Sequence, residues 1–159
     1  ELEIVGAIKI KDGLFIGDEF AAKVRLSLSM QLTLTLTAKD LEFVITNKVT
    51  HVINCAGRQV ANFWENIGVV YLTFNWVETD SQVSLLLSKF VLINFPDFVD
   101  ARNEVVNDIY NFIEEAVKAG ESVLVHSVRG QSRSCCAITA YFMKRCISHY
   151  TVIIHRRYN

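Results

Sequence analysis

The chain has 159 residues, the size of one ordinary domain, and 51% of them are apolar, ample for a sizeable core. Lys and Arg (16) nearly balance Asp and Glu (17), so bulk charge makes no case for nucleic acid or a membrane surface as partner. No apolar run is long enough to span a bilayer, the N-terminus lacks a signal-peptide layout, and a Walker A pattern is absent. The four Cys, at 55, 135, 136 and 146, show no Cys-x-x-Cys spacing, so no metal is expected. Small buried thiols in a reducing compartment are the expectation for them.

In chain order, Ile8 to Gly17 reads as two short strands around Asp12-Gly13, a hairpin dipeptide. Asp18 suits the N-cap of a short helix, Glu19 to Ala22. From Leu26 to Thr37, Leu and Met alternate with Ser, Gln and Thr, the pattern of a strand with one buried face. Ala38 to Lys48 predicts a short amphipathic helix with Leu41, Val44 and Ile45 on its apolar face. Thr50 to Ala56 and Val69 to Asn75 read as strands. Ser81 to Asp100 is an apolar connection, a helix or packed lid broken by the only proline, Pro96.

The clearest helix is Asn103 to Ala119, where Val105, Val106, Ile109, Phe112, Ile113, Ala116 and Val117 make one stripe. Asn103 suits its N-cap and Gly120 its stop. Val123-Leu124-Val125 then reads as a buried strand, His126 to Arg133 as a small polar loop, and Arg133 or Ser134 to Arg145 as an apolar helix. The alternation predicts an α/β domain over residues 1–159, a central, mostly parallel sheet flanked by helices on both faces. Strand, tight loop, helix is also the geometry of an anion site, because loop N–H groups and the helix dipole converge there. Arg133 stands where that helix begins, and its planar fork can grip two oxygens of a phosphate.

His126-Ser127-x-x-Gly130-x-x-Arg133-Ser134 resembles the signature loop of the cysteine-dependent phosphatases, His-Cys-x-x-Gly-x-x-Arg-Ser/Thr. The flanking VLVH and SRSCCAITAYFMKR most resemble the small dual-specificity protein phosphatases, as do the Leu-Phe-Ile-Gly strand near the start and Val49-Thr50-His51-Val52-Ile53-Asn54. Residues 26–37 and 81–100 match no pattern of that family, and Ile147 to Asn159 resembles its next helix.

The resemblance implies a protein tyrosine phosphatase-like fold and a set of roles. Val128, Arg129, Gly130, Gln131 and Ser132 would cradle phosphate through backbone N–H groups, with Gly130 supplying the φ that closes the loop. Arg133 would bind the phosphate and stabilise transition-state charge. His126 would support the loop, and Ser134 would ease departure of a thiolate. Arg129 itself is expected to point to solvent. A general acid would sit after the Val69–Asn75 strand, where Asp80 ranks ahead of Glu78. Arg58 could recruit an anionic substrate, though a solvated loop Arg is the simpler reading.

One position departs from the family pattern: Ser127 occupies the place of the nucleophilic Cys. A hydroxyl starts several pK units above a thiol, and no base adjoins it in sequence, so covalent phosphoryl transfer is expected to be lost while the cradle stays. Two histories fit, a Ser engineered into a phosphatase or a natural pseudophosphatase that holds phosphoproteins. The implied partner is a phosphorylated protein or peptide, with no nucleic acid, membrane or cofactor. A monomer in the cytoplasm, with the nucleus as a further location, is expected. A rhodanese-like domain also has a Cys-headed anion loop, but His126 before the loop and Arg133-Ser134 closing it argue against that.

Overall fold

A computed structural model describes residues 6–23, 42–77 and 104–158, with side chains described as far as residue 146. Strands β1 (Ala7–Lys11) and β2 (Leu14–Gly17) form the expected hairpin. Gly13 takes φ +75 while Asp12 does not enter the left-handed region, so the turn is not of the type I′ kind. A shift of register between Lys9 and Lys11 accommodates it.

Helix α1 (Glu19–Ala22) is capped by Asp18, whose Oδ1 accepts from the Ala21 N–H at 2.9 Å. Its Oδ2 accepts from the Gly6 N–H at 3.2 Å, tying the start of β1 to the end of β2. The described part of α2, residues 42–46, ends where Lys48 turns left-handed at φ +51. The expected face of this helix needs correction. Val44 is buried and Phe43 packs edge-on against Phe15, but Ile45 is 67% exposed. With Phe43 and Val44 inward, the next residue lies a further 100° round the helix and faces away from the sheet.

Strand β3 (Val49–Asn54) leads through a loop and a 3₁₀ turn (Glu65–Ile67) to β4 (Val70–Thr73). Helix α3 (Glu104–Lys118) carries the anticipated stripe, with Val106, Ile109, Ile113 and Ala116 buried. Gly120, at φ +75, stops it. The Gly120 N–H donates to Val117 O and the Glu121 N–H to Ala116 O, the paired bonds of a Schellman cap. β5 (Ser122–His126) follows, and then α4 (Ser132–Tyr158). The two helices anticipated after the loop are one continuous helix, because no Gly or Pro interrupts the sequence between Ser132 and Tyr158. The expectations for residues 26–37 and 81–100, and for Asn103, lie outside the described residues.

The sheet runs in the order β1-β2-β5-β3-β4, antiparallel only between β1 and β2. Side-chain alternation along the strands divides the core. Leu14, Ile16, Ile53, Val123 and Val125 pack under α3 and α4 with Ile109, Ile113, Ala137 and Tyr141. Phe15, Val52 and Leu124 face the other way, against Ala22, Val44, Trp64 and Val69. Each fully buried Val, Leu or Ile here contributes about 1.5–3 kcal/mol.

Tyr141 joins β1, α3 and α4. Its hydroxyl donates to Glu114 at 2.7 Å and accepts from Lys11 and Arg145. The thiols split: Cys55 and Cys136 are buried, as expected, while Cys135 and Cys146 are exposed. Adjacent helical residues point about 100° apart, so Cys135 and Cys136 cannot both face the core. Among the described residues no helix is long and apolar enough to cross a membrane.

Candidate functional site

Strands β5, β3 and β4, three of the four that run parallel, end at one edge of the sheet, and their outgoing loops meet there. The β5–α4 loop is pinned from both sides. The Ser127 N–H donates to Gly17 O at 3.3 Å, the Glu19 N–H to Val128 O at 3.1 Å, and the Cys55 N–H to His126 O at 2.9 Å. Gly130 takes φ +68, and a Cβ on it would stand 3.0 Å from the carbonyl C and O of Gly17. Only glycine lets the loop turn this close to the end of β2. Among the described residues no main-chain oxygen accepts from the N–H groups of Val128, Arg129 or Gly130. The N-terminus of α4 opens directly behind them, at Ser132.

His126, Ser127, Arg133 and Ser134 are all buried. The hydroxyls of Ser127 and Ser134 lie 3.1 Å apart. Neither ring nitrogen of His126 has a partner among the described residues. Burial above all, and then the charges of Lys23 and Arg133, push its pKa down to about 3, so the ring is neutral. Burial likewise raises the thiol pKa of Cys55, which makes it a poor nucleophile. Arg129 and Ser132 are exposed; Val128 and Gln131 are half-buried.

Arg133 reaches across to both neighbouring loops. Its Nη1 donates to Gln59 Oε1 at 2.7 Å and to the carbonyl of Trp76 at 3.1 Å. Gln59 lies after β3 and Trp76 after β4. Those two loops are locked to each other by the buried Asn54. Its Oδ1 accepts from the Ala56 N–H, its Nδ2 donates to Val60 O and Asn62 Oδ1, and its carbonyl accepts from the Phe74 N–H. Gly57 donates to Phe74 O at 3.0 Å, and a Cβ there would stand 2.5 Å from Thr73 Cγ2 and 2.8 Å from Asn75 Oδ1. Phe74 and Trp76 stack at 4.7 Å.

The structure therefore brings together His126, Ser127, Gly130, Arg133 and Ser134. Asp80 and Glu78 lie outside the described residues. Arg58 and its neighbour Gln59 are both exposed, and Gln59 nonetheless accepts from Arg133. No periodicity or motif marks Gln59; only the long-range contact does.

A buried strand, a glycine-turned loop and an arginine at the head of the next helix meet at the carboxyl edge of a parallel sheet, an arrangement suited to an anion. The sequence matches the family profile described as dual specificity phosphatase, catalytic domain, over residues 30–154. The mouse and human proteins named protein phosphatase Slingshot homolog 3 are each 31% identical to it over 108 residues, 68% of this chain. The chain spans only 14% and 13% of their lengths. Among solved structures, a human tyrosine phosphatase-like serine/threonine/tyrosine-interacting protein superposes with a TM-score of 0.53 at 17% identity, covering 87% of this chain and 73% of that one. A human DUSP28 structure does so at 0.50 and 22%, covering 88% and 71%. These structures share the fold. The chain belongs to the dual-specificity phosphatase family and is a catalytic domain of that family.

Proposed function

We propose that the cradle binds the phosphoryl group of phosphorylated proteins and that, with Ser127 in the place of the nucleophile, this chain does not hydrolyse it. The observation that carries the reading is the buried line of Ser127, Ser134 and Arg133 around a loop whose turn requires Gly130. The backbone of Val128 to Ser132 surrounds the bound oxygens, and Arg133 supplies the charge. The buried His126 supports the loop; its ring makes no hydrogen bond to Ser127 among the described residues, and with its pKa pushed down to about 3 it is too weak a base to take the hydroxyl proton. Nucleophilic attack by a hydroxyl needs a general base; a thiolate would not. Asp80, ahead of Glu78, serves as general acid in a Cys form. Both follow Trp76, whose carbonyl accepts from Arg133. Ser134 serves the departing thiolate there. The site acts within a cytoplasmic monomer, with no cofactor.

Hydrolysis of a small aryl phosphate by the chain and by Ser127→Cys tests this. The chain is expected to be inert and Ser127→Cys to turn over, with loss on Asp80→Ala. Phosphopeptide binding that depends on Arg133, with Ser127→Cys also inert, would favour a purely binding domain. Turnover by the Ser form would refute the nucleophile argument.

A further inference from the structure

The geometry points to Gln59 as a positioning residue that aims Arg133 at the phosphoryl group without cancelling its charge. The inference rests on the phosphate-binding reading above and adds to it the group that sets the guanidinium.

An arginine fork is useful only when its plane is fixed, because two parallel N–H···O bonds demand a defined orientation. Arg133 is fixed through Nη1. Gln59 Oε1 and the Trp76 carbonyl both accept from that one nitrogen, at 2.7 and 3.1 Å. Nη1 is thereby tied to the flanking loops, and that tie sets the plane of the guanidinium. The two acceptors differ in kind. Trp76 offers main-chain oxygen, present whatever the residue. Gln59 offers a side chain, and only a side chain of that length with an acceptor at its end reaches Arg133.

Gln59 is itself held in place. Its N–H donates to Ala56 O at 2.8 Å, and the next residue, Val60, is buried with its carbonyl held by Asn54 Nδ2 at 2.8 Å. The buried Asn54 thus shapes the loop that presents Gln59, and one rigid element carries the acceptor to the arginine. Its neutrality matters as well. A carboxylate at 59 would orient Arg133 equally well but would pair with it and repel a phosphate dianion. The amide of Gln59 orients the guanidinium and adds no negative charge of its own beside it.

Three variants of the chain as written, Gln59→Leu, Gln59→Glu and Arg133→Ala, separate these effects. The readouts are the Arg133 Nε–H signal by ¹⁵N NMR, inorganic phosphate affinity by calorimetry, and Tm. The Nε–H signal needs no ligand, so it judges positioning even if phosphate binding itself fails. Gln59→Leu is expected to broaden that signal by faster solvent exchange, to weaken phosphate about tenfold, and to leave Tm unchanged. Gln59→Glu is expected to keep the signal sharp yet weaken phosphate at least as much. In the Ser127→Cys background, Gln59→Leu should lower kcat more than it raises KM, as expected when transition-state contacts suffer most. An unaltered Nε–H signal in Gln59→Leu overturns the positioning role. Full phosphate affinity in Gln59→Glu overturns the argument from neutrality. Absence of phosphate binding by the parent chain refutes the phosphate reading, while the Nε–H result still decides for or against the role of Gln59.

Discussion

His126 makes the domain acid-sensitive by a calculable amount. The ring is buried and its pKa stands near 3, whereas in the unfolded chain it titrates near the ordinary value of 6.5. Below that ordinary value the unfolded state takes up a proton that the folded state refuses. Stability is therefore fully present above pH 6.5 and falls as pH drops toward 3. At pH 5 the difference spans about 1.5 pH units, worth about 2 kcal/mol at roughly 1.36 kcal/mol per unit. The control is His126→Leu, which removes the titration and leaves an apolar side chain where neither ring nitrogen had a partner among the described residues. Urea unfolding of both proteins at pH 7, 6 and 5 gives two curves of stability against pH. The parent should lose about 2 kcal/mol more than His126→Leu between pH 7 and pH 5. Parallel curves would show that His126 ionises in place at little cost, and the argument from burial would be wrong.

Three substitutions probe other parts of the frame. Gly130→Ala forces a Cβ into the left-handed region and against the Gly17 carbonyl, so urea unfolding should show a loss of about 2–4 kcal/mol together with loss of phosphate binding. Asp18→Ala removes an N-cap and the bond to Gly6; a loss of about 1–2 kcal/mol is expected, with hydrogen exchange rising at Gly6 and Ala21. Tyr141→Phe deletes the hydroxyl shared by Lys11, Glu114 and Arg145. It should cost about 1–3 kcal/mol by denaturant titration, and a variant as stable as the parent would show the network to be dispensable.

Where local chemistry decides the outcome, the sequence was a good guide. Asp12-Gly13 announced the hairpin, Asp18 the cap and Gly120 the helix stop, because each meets a demand within a few residues of itself. The α3 stripe was legible because one helix face meets one sheet face. The turn from His126 to Ser134 was legible as strand, loop and helix because a buried apolar run, a glycine-bearing polar stretch and an apolar helical stretch follow one another there. Ile45 was misread, since the facing of a short helix depends on neighbours in space; α4 was wrongly divided although no Gly or Pro between Ser132 and Tyr158 marks a stop. Gln59 was not legible at all. A glutamine after a strand looks like any solvated loop residue until the fold carries Arg133 against it.

The strand order has a consequence for how the site comes into being. β5 lies between β2 and β3, so Leu14 waits for Val123 and Val49 for Ser122 before the centre of the sheet exists. Closing such long loops must precede the reward of pairing, which makes folding slow and its last central step decisive. β3 and β4 emerge from the ribosome well before β5, and until it arrives β2 and β3 each present an unpaired edge. The same strand ends in His126 and leads straight into the loop. Insertion of β5 therefore seals the sheet and sets the β5–α4 loop in one event, so a form that lacks β5 lacks that loop as well.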